Sequence, residues 1–135
     1  MFLSALFAVA LGYGTWAYFN PGPSAGEIAF KAAGPVLDVA ALGQAQLRGR
    51  KTFNAICAEC HGQDAMGGDG GPPLIHKIYE PSHHADGSFY LAAARGVQAH
   101  HWGFGDMPPQ PGVTQAQMTE IIGFVRAAQR QNGIM

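Results

Sequence analysis

Charge is scarce in this sequence and cysteine scarcer. Asp, Glu, Lys and Arg make up 13% of the 135 residues and the formal net charge is -1, which argues against a basic nucleic-acid-binding face and against a long solvated tail. Cys57 and Cys60 are the only cysteines. No second CxxC and no HxxxH pair accompanies them, so a structural zinc site lacks its four ligands. A thioredoxin-like dithiol would need strands alternating with helices, and that alternation is missing. No segment alternates polar and apolar residues convincingly enough to be a strand. An all-α chain remains, and its nineteen Gly and nine Pro point to helices joined by many tight turns.

What is present is Cys57-Ala58-Glu59-Cys60-His61, two thiols and an imidazole at the spacing that covalent attachment of a c-type haem requires. A disulfide between the two thiols would leave the adjacent His61 unexplained. On one helical turn, side chains three apart share a face, so Cys57 and Cys60 can each form a thioether while His61 ligates the iron. One covalently attached haem c is expected. In a domain of this size the enclosed ring also supplies apolar contact area that the chain alone lacks.

Residues 1–19 carry no charged side chain. As a helix they would be roughly 28 Å long, close to the hydrocarbon thickness of a bilayer. Trp16, Tyr18 and Phe19 read as an interfacial aromatic belt, and Asn20-Pro21-Gly22-Pro23 as a helix stop. A secretory signal is the competing reading, but the basic n-region is absent and no convincing cleavage site follows. The expected organisation is a transmembrane anchor or uncleaved signal at 1–19, a linker at 20–40 and a haem domain at 41–135. Haem attachment needs reduced thiols on an exported chain, which orients a single-pass protein of a bacterial inner membrane with its haem domain in the periplasm.

Phe53 and Gly49 precede Cys57 in steps of four, a stripe on a helix over residues 40–60. Phe53 offers an apolar plate, and Gly49 lets another backbone approach. The partner is expected at 114–131, where Thr114 and Gln117 form a capping box and Met118, Ile121, Ile122 and Val125 recur at helical spacing beside Phe124. Arg126 and Arg130 fall near its end, where cations favour the dipole, and Gly133 is placed to terminate it. A shorter helix is expected over residues 88–95.

Together, Gly49-x-x-x-Phe53-x-x-x-Cys57-x-x-Cys60-His61-Gly62, Gly71-Pro72-Pro73-Leu74, Met107-Pro108-Pro109 and the Ile/Phe-rich last helix resemble a class I c-type cytochrome over residues 44–131. The resemblance implies three to four helices wrapped around one haem, with the first and last helices crossing. It implies that the Pro72 carbonyl orients His61, and that a Met beside a Pro is the second axial ligand. Met107 fits that part, in a loop with flexible residues before the sulfur and rigid ones after it. Met66 lies too close behind His61 to reach the other face of the ring. A bis-His haem through His100 or His101 is the alternative. The indole N–H of Trp102 needs a partner if buried, and a haem propionate suits it. His76, His83, His84, His100 and His101 could suggest a second metal site, but adjacent pairs point in different directions and surface or propionate-bonding roles explain them more simply.

The function expected is one-electron transfer rather than enzymatic catalysis, since iron ligated on both sides has no open position. Donors would be a quinol-oxidising complex or a periplasmic dehydrogenase, and acceptors a terminal oxidase or reductase. The membrane is engaged through residues 1–19, with no nucleic-acid partner. Glu59, Asp64, Asp69 and Asp106 are expected to form an acidic rim at the haem edge. Competing readings are a haem c subunit fixed in a multisubunit respiratory oxidoreductase, and a ligand-binding haem sensor or peroxidase.

Overall fold

Helix α1 spans Gln44–Ile56, and its start is set locally. Gly43 is extended, and its N–H donates to Gln46 Oε1 at 2.8 Å, satisfying one of the donors a helix N-terminus leaves open. Ahead of it, Asp38 caps the short 3₁₀ turn Val39–Ala41. The helix expected over 40–60 is therefore shorter at its beginning and is interrupted at Cys57, beyond which α2 runs only over Ala58–His61. The hydrogen bonds carry across the interruption, Cys57 N donating to Phe53 O (2.7 Å) and His61 N to Cys57 O (2.9 Å). All of this lies in a computed structural model that describes residues 34–135. The proposed span at 1–19 falls outside the described residues, and among those described no helix is long and apolar enough to cross a membrane.

The last helix, α4 (Gln115–Gln131), begins at the expected capping box. Gln117 N donates to Thr114 Oγ1 at 3.2 Å, and Thr114 N donates back to Gln117 Oε1 at 2.9 Å. Its apolar stripe crosses α1 at Gly49, where a Cβ would sit 1.9 Å from Glu120 O. Only a residue without a side chain permits that approach. The core closes around the crossing, with Phe53 and Phe124 ring centroids 5.7 Å apart and Ile121 and Val125 buried. Helix α3 (Asp86–Arg95) starts two residues before the expected segment, with Asp86 in its first turn, where a carboxylate suits the dipole.

Arg126 does not serve the helix end. It is 7% exposed, and its guanidinium donates to Asp86 Oδ1 (2.8 Å), Tyr79 O (2.7 Å), Gln129 Oε1 (2.7 Å) and His84 O while lying 4.9 Å from the Phe89 ring centroid. Those contacts fasten the segment from Tyr79 to Asp86 onto α4. Among the described residues there is no strand, only isolated bridges at Gly68–Gly71 and Val97–Met107. Residues 35–135 form one compact unit. Within it, Val36 N donates to Asn132 Oδ1 (2.8 Å) and Asp38 N to Gln131 Oε1 (2.7 Å), tying the start of the unit to the end of α4.

Candidate haem site

A cavity of about 420 Å³ opens beside α2, lined by Phe53, Cys57, Cys60, His61, Pro72, Leu74, Tyr79, Phe89, Trp102, Met107, Met118 and Ile121 among others. Its size falls in the range of cofactor pockets, about 300–1,000 Å³. Most of the sequence-derived candidates therefore meet in one space: Cys57, Cys60, His61, Pro72, Trp102 and Met107 all contribute to its walls. Met66 packs against the core instead.

The His61 ring is held by a loop that doubles back on α2. Asp64 and Ala65 both adopt left-handed backbone, with φ of 59° and 65°, a conformation that costs an L-residue about 1–2 kcal/mol. The cost is met by fixed partners. Arg50 grips both Asp64 carboxylate oxygens at 2.7 and 2.9 Å, Asn54 Nδ2 adds a third contact at 2.7 Å, and Asp64 N donates to Asn54 Oδ1. The Arg50 hydrogen bond holds the Asp64 carboxyl below its ordinary range, and Asp64 in turn raises the guanidinium. Leu74 N then donates to Ala65 O at 2.9 Å. The returning chain sets Pro72 O 2.9 Å from His61 Nδ1. A proline carbonyl can only accept, so Nδ1 carries the proton and Nε2 keeps its lone pair.

The two thiols differ. Cys57 is half-buried and Cys60 exposed, and burial, with Cys60 alongside, pushes the Cys57 thiol up to about 11. Reactive dithiols lie below their ordinary value. A raised one suits a sulfur that ends as an uncharged thioether against an apolar wall.

Met107 is pinned through its backbone. It exchanges two hydrogen bonds of 2.9 Å with Val97, and Gly96, at φ 78°, makes room, since a Cβ there would meet Met107 O at 2.4 Å. Gln110 N donates to Ala93 O at 2.7 Å on the far side of the prolines. Nothing in the sequence announces the Val97–Met107 clamp or the Arg50–Asp64 grip.

Trp102 Nε1 is buried without a hydrogen-bond partner. It is close enough to the Tyr79 phenol to favour the phenolate slightly, though burial dominates and raises that group; no hydrogen bond is closed. Trp102 lines the cavity with that donor unpaired, and paired thiols beside an imidazole protonated at Nδ1 in an apolar pocket are groups that fit a haem.

The acidic rim is thinner than expected. Asp64 is committed to Arg50 and Asn54, leaving Glu59, Asp69 and Asp106 exposed, the last with Oδ1 accepting from Ala99 N at 2.8 Å. The histidines also depart from expectation. His83, His84 and His101 bring one ring nitrogen each within 4.8 Å of one another, although their spacing in the chain suggested divergent rings.

No curated protein and no solved structure matches the chain. A protein-family model does: the one described as Cytochrome c aligns with residues 46–129, and with most of its length so covered the chain belongs to the cytochrome c family, whose members bind haem c covalently and in general transfer electrons.

Proposed function

We propose that this protein is a one-electron carrier whose single haem is joined to Cys57 and Cys60 and ligated by His61 and Met107. The observation that carries the reading is the 2.9 Å contact between His61 Nδ1 and Pro72 O in a cavity that Cys57, Cys60 and Met107 also line. When bound, the haem supplies an iron centre that cycles by one electron. The protein's part is positional. Pro72 fixes the tautomer of His61 and strengthens its Nε2 as a donor. The Val97 clamp holds the Met107 backbone in one place, so the thioether needs no rearrangement between oxidation states. Phe53, Leu74, Phe89 and Ile121 exclude water from the cavity walls. Trp102 offers its free N–H to a propionate. Exposed Cys60 marks the edge where a partner would approach, in a small and short-lived complex.

The charge-free run at 1–19 supports a single membrane anchor with the haem domain in the periplasm of a bacterial cell. Tethered there, the carrier would pass electrons from a quinol-oxidising complex or a periplasmic dehydrogenase to a terminal oxidase or reductase.

The test is an absorption spectrum of the protein matured with haem-attachment machinery, oxidised and reduced. Ferric protein should show the near-infrared band of sulfur-bound iron, and Met107→His should abolish it and make the protein easier to oxidise. A band unchanged by that substitution would remove Met107 from the iron, and a colourless product would remove the haem.

A further inference from the structure

We infer that His83, His84 and His101 form a binding site for one divalent transition-metal ion of the copper or zinc type, at the rim of the cavity. The three rings come from two loops remote in sequence, and their ligand atoms converge to within 4.8 Å. Ligand nitrogens around a four-coordinate zinc lie about 3.3 Å apart, a difference that rotation of the exposed His83 and His101 rings would close. A fourth imidazole is at hand, since the His100 ring centroid is 4.2 Å from that of His101.

The cluster is built rather than incidental. His83 N and His84 N both donate to Glu80 O, at 3.1 and 2.8 Å, a turn that presents two consecutive rings. The buried Arg126 guanidinium holds His84 O, so the turn is fixed from beneath. His84 Nδ1 lies 2.6 Å from Ile78 O and His100 Nδ1 lies 2.8 Å from Gln98 O. Each carbonyl must accept, which places the proton on Nδ1 and frees Nε2, the arrangement that metal-bound histidines ordinarily have. Imidazoles without thiolate select zinc, copper(II) or nickel over calcium and magnesium. His84 and His101 also line the haem cavity, and the site rests on the proposed His61 and Met107 ligation, which leaves His101 free.

The experiment is a calorimetric titration of the full, haem-loaded ferric protein with Zn²⁺ alone, paired with electron paramagnetic resonance of the same protein given one equivalent of Cu²⁺. One Zn²⁺ per chain is expected, with a copper signal split by several imidazole nitrogens. The double variant His83→Gln/His101→Gln, altering two exposed rings, should lose at least about tenfold in Zn²⁺ affinity and keep the wild-type haem spectrum. Absence of saturable binding in the wild type, or equal binding by the double variant, would overturn the site. So would an altered haem spectrum in the variant, which would place these rings on the haem side instead.

Discussion

Replacing Gly49 by alanine puts the crossing of α1 and α4 to the test. The added Cβ would lie 1.9 Å from Glu120 O, 2.3 Å from Glu120 C and 2.9 Å from Ile121 N. All three are backbone atoms of a helix interior, so no side chain can swing away. Restoring ordinary contact, about 3.5 Å, means separating the helices by roughly 1.5 Å. A gap of even about 1 Å forfeits up to half of each dispersion contact, and the side chains sharing this interface include Phe53, Ile121, Phe124 and Val125, each at most 1% exposed. The loss should reach about 3 kcal/mol, the upper end of the overpacking range, lowering Tm by roughly 12–24 °C in a domain of this size. Thermal unfolding followed by far-ultraviolet circular dichroism reads it directly. Gly123→Ala, on the same helix with nothing within 4 Å of its added Cβ, should instead be neutral or gain up to about 1 kcal/mol from helix propensity. A Gly49→Ala protein melting within about 3 °C of wild type would refute the close crossing.

Three further outcomes follow from the site. Asp64 has a depressed folded-state value, so its contribution to stability is complete above its unfolded value of about 3.9 and is lost as pH falls through the lower folded one. Asp64→Asn should therefore cost about 1–3 kcal/mol at neutral pH and flatten the acid limb of the stability profile; denaturant midpoints measured down the acid limb would show an unchanged slope if the reasoning fails. Arg126→Met strands the His84 carbonyl, unpairs Asp86 and removes one of the two donors to Tyr79 O, and should destabilise by about 2–4 kcal/mol; a loss under about 0.5 kcal/mol in urea unfolding would show that the guanidinium holds nothing. Trp102→Phe removes the donor proposed for a propionate, leaving more negative charge beside the iron. The reduction potential should fall, and a potentiometric titration that finds it unmoved would release Trp102 from that role.

Legibility in the sequence tracked how local each cause was. The capping box at Thr114 and Gln117 and the 3.6-residue stripe after it act within a few residues, so α4 could be placed almost to its ends. Gly49 could be read as a crossing point because a glycine inside an amphipathic stripe has few other uses. Cys57, Cys60, His61, Pro72, Trp102 and Met107 could be nominated from motif and resemblance, and they do line one cavity. The break at Cys57 was not visible, because its backbone stays helical, φ -91° and ψ -26°, and only the turn pattern changes. Arg126 was misread because its position near a helix end suggested a dipole role, whereas its partners come from a segment about 40 residues earlier. The convergence of His83 and His84 with His101 was hidden for the same reason, since it depends on how two loops are fastened.

The double hydrogen bond between Val97 and Met107 has an evolutionary reading. It closes residues 98–106 at their neck, so that stretch is a module whose content can be exchanged while the sulfur at its base stays where it is. His100, His101, Trp102 and Phe104 all belong to it. Descendants of this chain could lengthen, shorten or reseed the module with other side chains, and so acquire new surface chemistry beside the cavity without displacing Met107.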